Sequence, residues 1–156
     1  MSDYKVWSSD SHIMEPADLW TERIDPKFKD RAPRIVRENG NDKWYCEGQP
    51  FGNIGSNQQA GMRFEDPSKI NREGVMDTVR MGGLDPDAHV VDLDVDGVEG
   101  GVLYPSQGLT LWGIPPTELL SAVFRAYNDY LADFCRPHPN RLKGIAMVNV
   151  DSVSDA

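Results

Sequence analysis

The stretch Thr117–Val150, TELLSAVFRAYNDYLADFCRPHPNRLKGIAMVNV, decides the fold class. Its first half places Leu119, Leu120, Val123, Phe124, Tyr127, Leu131 and Phe134 at spacings of three and four, so Thr117–Phe134 reads as a helix with one apolar face. Pro115-Pro116 precede it, and Pro137 and Pro139 end it. The nearly continuous apolar run Leu142–Val150 then reads as a strand covered on both faces. Asp151-Ser152 has the composition of a helix cap. Upstream, Pro86–Asp96 carries Ala88, Val91, Leu93 and Val95 on partly helical spacing, with Gly97 placed to stop it. Gly101–Tyr104 is a compact apolar run of strand type, closed by Pro105. Helix, strand, helix, strand in that order predicts a parallel α/β sheet with covering helices.

Working back toward the N-terminus, Tyr4–Ser9 reads as a short strand ending at Asp10-Ser11-His12. Pro16 opens a short helical piece over Ala17–Arg23, and Asp25-Pro26 stops it. Two short runs, Arg34–Arg37 and Lys43–Glu47, flank Asn39-Gly40 and predict a hairpin. Gly48–Arg72 is rich in Gly, Asn, Gln and Pro and reads as a long irregular excursion. Residues 33–72 are thus expected as an inserted hairpin and long loop between the first strand and the repeating unit.

The 156 residues carry 16 Lys and Arg against 25 Asp and Glu, a formal net charge of −9. So acidic a surface argues against nucleic acid or an anionic membrane as partner, since both attract basic patches. The most basic segment, Lys27–Arg37, is broken by Asp30 and Pro33 and reads as a solvated surface. Cys46 and Cys135 make neither a disulfide framework nor a thiol-metal cluster, which suits a reducing cytoplasm. The first twenty residues lack an apolar signal core, and no apolar run approaches the length of a membrane span.

Among the motifs, Asp92-Leu93-Asp94-Val95-Asp96-Gly97 imitates the first half of an EF-hand loop. Its twelfth position is Leu103 instead of a bidentate Glu, and a strand follows where a helix is required. It is read as an acidic helix end. Asp10 and His12 are two residues apart on a strand, hence on one face, where oxygen plus nitrogen ligation suits a divalent metal ion such as Zn²⁺, Mn²⁺ or Fe²⁺. Glu15 could return to the same ion or orient its ligands. The competing reading of Asp10 and His12 is a helix cap and a hydrogen-bonded histidine. His89 is expected on the surface of its helix, and His138, between two prolines, in a structural or solvent-facing turn. No phosphate-cradling glycine loop and no Gly-x-Ser-x-Gly elbow is present. Tyr104, Ser106 and Gln107 follow a strand directly and are candidates for the wall of a substrate pocket.

Taken together, Ser9-Asp10-Ser11-His12-Ile13-Met14-Glu15-Pro16 with Asp18-Leu19-Trp20 and Arg31-Ala32-Pro33-Arg34 resembles the opening of the amidohydrolase-2 family. These are metal-dependent barrel enzymes related to aminocarboxymuconate-semialdehyde decarboxylase. The resemblance continues through Gly82-Gly83-Leu84-Asp85-Pro86, Asp92–Val98, Val102-Leu103-Tyr104-Pro105, Ala126–Tyr130 and Arg141–Ala146. It implies a (β/α)₈ TIM barrel with one divalent metal ion, Zn²⁺ first and Mn²⁺ or Fe²⁺ next, at the carboxyl ends of the strands. The family's first two ligands map onto Asp10 and His12. Many relatives carry His-x-His there; this sequence has the carboxylate first. The resemblance puts the remaining ligands beyond residue 156.

Such a site supports hydrolysis of a small organic acid, amide or ester by metal-activated water. It also supports non-oxidative decarboxylation of an aromatic or unsaturated acid, or oxygenation at a dinuclear site with Glu15 as an added ligand. A non-catalytic subunit that completes a partner chain's barrel is the reading from a different class. A (β/α)₈ barrel takes about 250 residues. The chain is therefore expected to be the N-terminal portion of a larger fold, whether through a split gene, cleavage or truncation. The rest of the barrel would then lie in the same or a second chain, within a homo- or hetero-oligomer.

Overall fold

A computed structural model of the protein describes residues 4–55, 59, 68, 73–115 and 117–155. Its strands fall into two three-stranded sheets, one parallel and one antiparallel. The parallel sheet places strand β1 (Trp7–His12) beside β5 (Gly100–Tyr104) and β5 beside β6 (Leu142–Gly144). Between them run the short helix α1 (Leu19–Arg23), then α2 (Pro86–Val95) before β5, and α3 (Glu118–Cys135) before β6. The mixed α/β class and the parallel order agree with the helix–strand alternation. No closed barrel is present among the described residues.

Helix α3 earns its place through its side chains. Every apolar position of its three-and-four pattern is buried, and Tyr127 and Val123 are fully so. It covers β6 and α1, and the Trp20 indole donates to the Val123 carbonyl at 3.1 Å. Helix α2 begins at Pro86, with the Asp85 carboxylate accepting from the Ala88 amide at 2.8 Å, an N-cap of the usual kind. Gly97, at φ +69°, follows its end in the left-handed conformation that glycine adopts freely. Asp92 and Asp94, the core of the EF-hand imitation, are instead ion-paired to Arg80 and Arg141.

Three differences from the sequence-based expectation bear on the site and the sheets. Strand β1 begins at Trp7 instead of Tyr4 and runs through His12, so Asp10 and His12 lie within the strand. The ladder to β5 pairs Ser8 with Gly101 and Ser11 with Leu103, which leaves one extra residue in β1, a bulge of the kind that re-aims side chains near sites. Strand β6 ends at Gly144, though the Ile145 amide still donates to the Leu103 carbonyl. The run expected to be covered on both faces has Ile145, Val148 and Val150 exposed, because no further strand pairs with the outer edge of β6 among the described residues.

The third difference lies in the antiparallel sheet, β2 (Arg34–Glu38), β3 (Asn41–Cys46) and β4 (Gln49–Asn53). Asn39-Gly40 joins β2 to β3 with positive φ at both residues, as a two-residue type I′ turn requires. Gln49–Asn53, expected within the irregular excursion, is a third strand, turned by Glu47-Gly48 at φ +53° and +74°. Glu is not a residue that signals such a turn, so the hairpin was invisible in the sequence. Of the remainder of that excursion, residues 56–58, 60–67 and 69–72 lie outside the described residues. Trp44 on β3 is fully buried and meets Trp20 edge-on at 5.2 Å, which pins this sheet to the main core.

Candidate metal-ligating site

At the carboxyl end of β1 the His12 ring turns its Nδ1 to the Pro105 carbonyl, 2.8 Å away. A carbonyl only accepts, so Nδ1 carries the proton in this bond, and whenever the ring is neutral Nε2 presents its lone pair. Nε2 lies 3.4 Å from the Asp10 Oδ1. A nitrogen and an oxygen held by one tetrahedral ion at about 2.0–2.2 Å would sit roughly 3.4 Å apart. The pair therefore fits two ligands of one ion, with the outer ring nitrogen already held by a backbone carbonyl, as metal-binding histidines ordinarily are. The side chains are 79% and 41% exposed, so both are reachable from solvent. Among the described residues no group of three or more His, Cys, Asp or Glu converges to hold an ion.

Glu15 does not join that pair. It is fully buried, and both of its oxygens are taken by the loop that follows β5. Oε1 accepts from the amides of Ser106 (3.0 Å) and Gly108 (2.9 Å), and Oε2 accepts from Gln107 (3.0 Å). Burial pushes the carboxyl above its ordinary range, while the amides of Gly108, Gln107 and Ser106 pull against that. The expectation of Glu15 as an added ligand meets a side chain already committed to backbone donors, because the fold brings residues 106–108 against it.

A cavity of about 970 Å³ opens beside His12. Ser106 and Gln107 line it, whereas Tyr104 stands against the His12 ring with centroids 6.0 Å apart. Ser106 Oγ donates to the Ile13 carbonyl, and Gln107 Nε2 donates to the Asn53 carbonyl of β4, so the antiparallel sheet closes one side of the cavity. A Cβ at Gly52 would meet the far end of the Gln107 side chain, which would then have to shift. Arg80, Asp92 and His89 also line the cavity and were not singled out as site residues by the sequence. His89, expected at the surface, is buried: Nδ1 lies 2.7 Å from the Gly82 carbonyl and the ring meets Phe134 edge-on at 6.0 Å. A helical histidine four residues after an Asp N-cap gave no local sign of burial. His138, in contrast, is partly exposed in its turn and pairs with Asp87 at 2.6 Å.

No helix among the described residues is long and apolar enough to cross a membrane. No protein-family model matches the chain, and no curated protein matches it. Among solved structures, it is similar to the crystal structure of an amidohydrolase from Mycobacterium avium subsp. paratuberculosis K-10, with a TM-score of 0.74 at 19% identity. The likeness covers 99% of this chain and 45% of that one, so the chain spans less than half the length of the protein it matches. What the two share is the fold, over part of the larger molecule.

Proposed function

We propose that this chain supplies the Asp10–His12 half of a divalent-metal site in a hydrolase of the amidohydrolase superfamily, acting on a small organic acid, amide or ester. The observation that carries the reading is the convergence of Asp10 Oδ1 and His12 Nε2 to 3.4 Å, with Nδ1 donated to Pro105, at the mouth of a cavity. Location supports it as well, because the carboxyl ends of parallel strands are where such folds place their chemistry. When bound, a Zn²⁺ ion (or Mn²⁺ or Fe²⁺) supplies a water of lowered pKa, a hydroxide source at neutral pH.

The chain's own residues do the rest. Pro105 fixes the His12 proton on Nδ1, so Nε2 is available as a ligand without first losing a proton. Asp10 supplies a negative charge beside it, compensating a dication. Ser106 and Gln107 wall the cavity in which a substrate would be held, and the β4 backbone at Asn53 keeps Gln107 in place. The remaining ligands come from further strands of the barrel, in the same or a second chain, in a homo- or hetero-oligomer.

Metal titration tests this directly. Isothermal titration of the protein with Zn²⁺ should give one site, and His12→Ala should weaken it at least tenfold while the circular dichroism spectrum is retained. Unchanged Zn²⁺ affinity in His12→Ala overturns the assignment. Absence of any Zn²⁺, Mn²⁺ or Fe²⁺ binding by the complete assembly would favour a non-catalytic subunit instead.

A further inference from the structure

The segment 12–15 is tied to the segment 104–108 by more bonds than a strand ladder provides. His12 Nδ1 meets the Pro105 carbonyl at 2.8 Å, and the Ile13 amide donates to Tyr104 at 3.1 Å. Ser106 Oγ donates to the Ile13 carbonyl at 2.7 Å. Glu15 then takes the three consecutive amides of Ser106, Gln107 and Gly108 on its two oxygens. Gly108 leaves room for this, since a Cβ there would press on Pro105 Cβ at 2.7 Å and on Glu15 Oε1 at 3.1 Å. A carboxylate is costly to bury, and among the described residues this one is anchored to dipoles, with no cation beside it. It sits three residues after His12 in the chain.

We infer that Glu15 is a positioning residue for His12. By gripping the amides that follow Pro105, it holds the Pro105 carbonyl against Nδ1, keeps the neutral ring in its Nδ1–H form and leaves Nε2 aimed at Asp10. Glu15 touches neither the ion nor the substrate; it acts through the loop. The part of this inference that concerns metal rests on the proposed function, but the part that concerns the His12 tautomer does not.

Long-range proton–nitrogen correlation on protein labelled with ¹⁵N-histidine reads the tautomer directly, at a pH where the ring is neutral. The wild-type His12 should be in the Nδ1–H form. Glu15→Gln, which sets an amide NH₂ against backbone donors, should give a mixture of both tautomers. The same variant should weaken Zn²⁺, measured by competition with a chromophoric chelator, by about 10–100-fold. Gly108→Ala pushes on the same grip from the loop side and should shift tautomer and affinity in the same direction; it serves as the second variant if Glu15→Gln does not fold. A merely structural Glu15 would lower the melting temperature and leave the His12 tautomer as it was.

A wild-type Nε2–H form overturns the inference, as does an unchanged tautomer in the folded variants. If the tautomer shifts but His12→Ala leaves Zn²⁺ affinity unchanged, the positioning role stands and the metal reading falls.

Discussion

Among the described residues two carboxylates are buried, Glu15 just beyond β1 of the parallel sheet and Asp42 on β3 of the antiparallel one, and they are treated in opposite ways. Glu15 faces neutral amide donors, and burial pushes its carboxyl up. In the antiparallel sheet Asp42 is almost as buried, but the Arg37 guanidinium beside it holds it below the ordinary carboxylate range, helped by the Met76 amide. Arg37 donates through Nε at 2.7 Å and Nη2 at 2.9 Å, the bidentate geometry of strong ion pairs. At Asp42 the Arg37 guanidinium outweighs desolvation; at Glu15 desolvation outweighs the amide dipoles. The antiparallel sheet therefore looks built for stability, with a charge matched at close range. The parallel sheet accepts a costlier group beside its candidate site.

The largest expected effect separates the sheets mechanically. Trp44→Ala removes the indole that joins the antiparallel sheet to Trp20 and should cost about 3–5 kcal/mol by urea unfolding, as large-to-small core changes do. Hydrogen exchange should show protection lost first over β2–β4, with β1 and β5 retained. A uniform loss would mean that the two sheets are one cooperative unit.

Asp42→Asn comes next. It removes the charge from a buried acceptor of three donors and should cost about 1–3 kcal/mol. It also sharpens the comparison through pH. Because the folded Asp42 titrates below the unfolded value, its contribution is complete above an ordinary carboxylate pKa of about 3.9 and is lost as pH falls through the lower folded value. Glu15 runs the other way: with its folded value raised, its contribution is present below the unfolded value and lost as pH rises through the folded one. Acidification from pH 5 to pH 3, followed by amide exchange, should therefore loosen β2–β3 before β1–β5. Simultaneous loosening would contradict the opposite signs of the two groups, and Asp42→Asn should flatten the acid response of β2–β3.

The smallest change is at a turn. Gly40, at φ +79°, has open space around its Cα, so Gly40→Ala meets no neighbour and pays only for the left-handed backbone, about 1 kcal/mol. A thermal melt checks it, and a loss above twice that would mean that the turn carries tertiary contacts as well.

Much of the parallel sheet was legible because its signals are local. The α3 stripe needs only three-and-four spacing, α2 needs its partly helical apolar spacing and the glycine that follows, and β5 needs a short apolar run closed by proline. Asp10 and His12 were legible for the same reason: two residues apart on a strand, they share a face wherever that strand lies. Glu47-Gly48 was not, since a left-handed Glu has no sequence signature; the pairing of β3 with β4 and the bonds between Glu47 and Arg31 hold it there. His89 was not legible either, because its burial is set by Phe134 and Gly82, which lie 45 and 7 residues away in sequence.

The sequence by itself determined the period of each helix and strand, the acidic surface and the presence of an oxygen and a nitrogen donor on one strand face. Tertiary structure alone decided what those donors can do. The Pro105 carbonyl, 93 residues from His12, lies against its Nδ1. Three amides from the same loop occupy both oxygens of Glu15. Hydrogen bonds of about 3 Å depend on where distant segments meet, and no local pattern of residue types encodes that meeting.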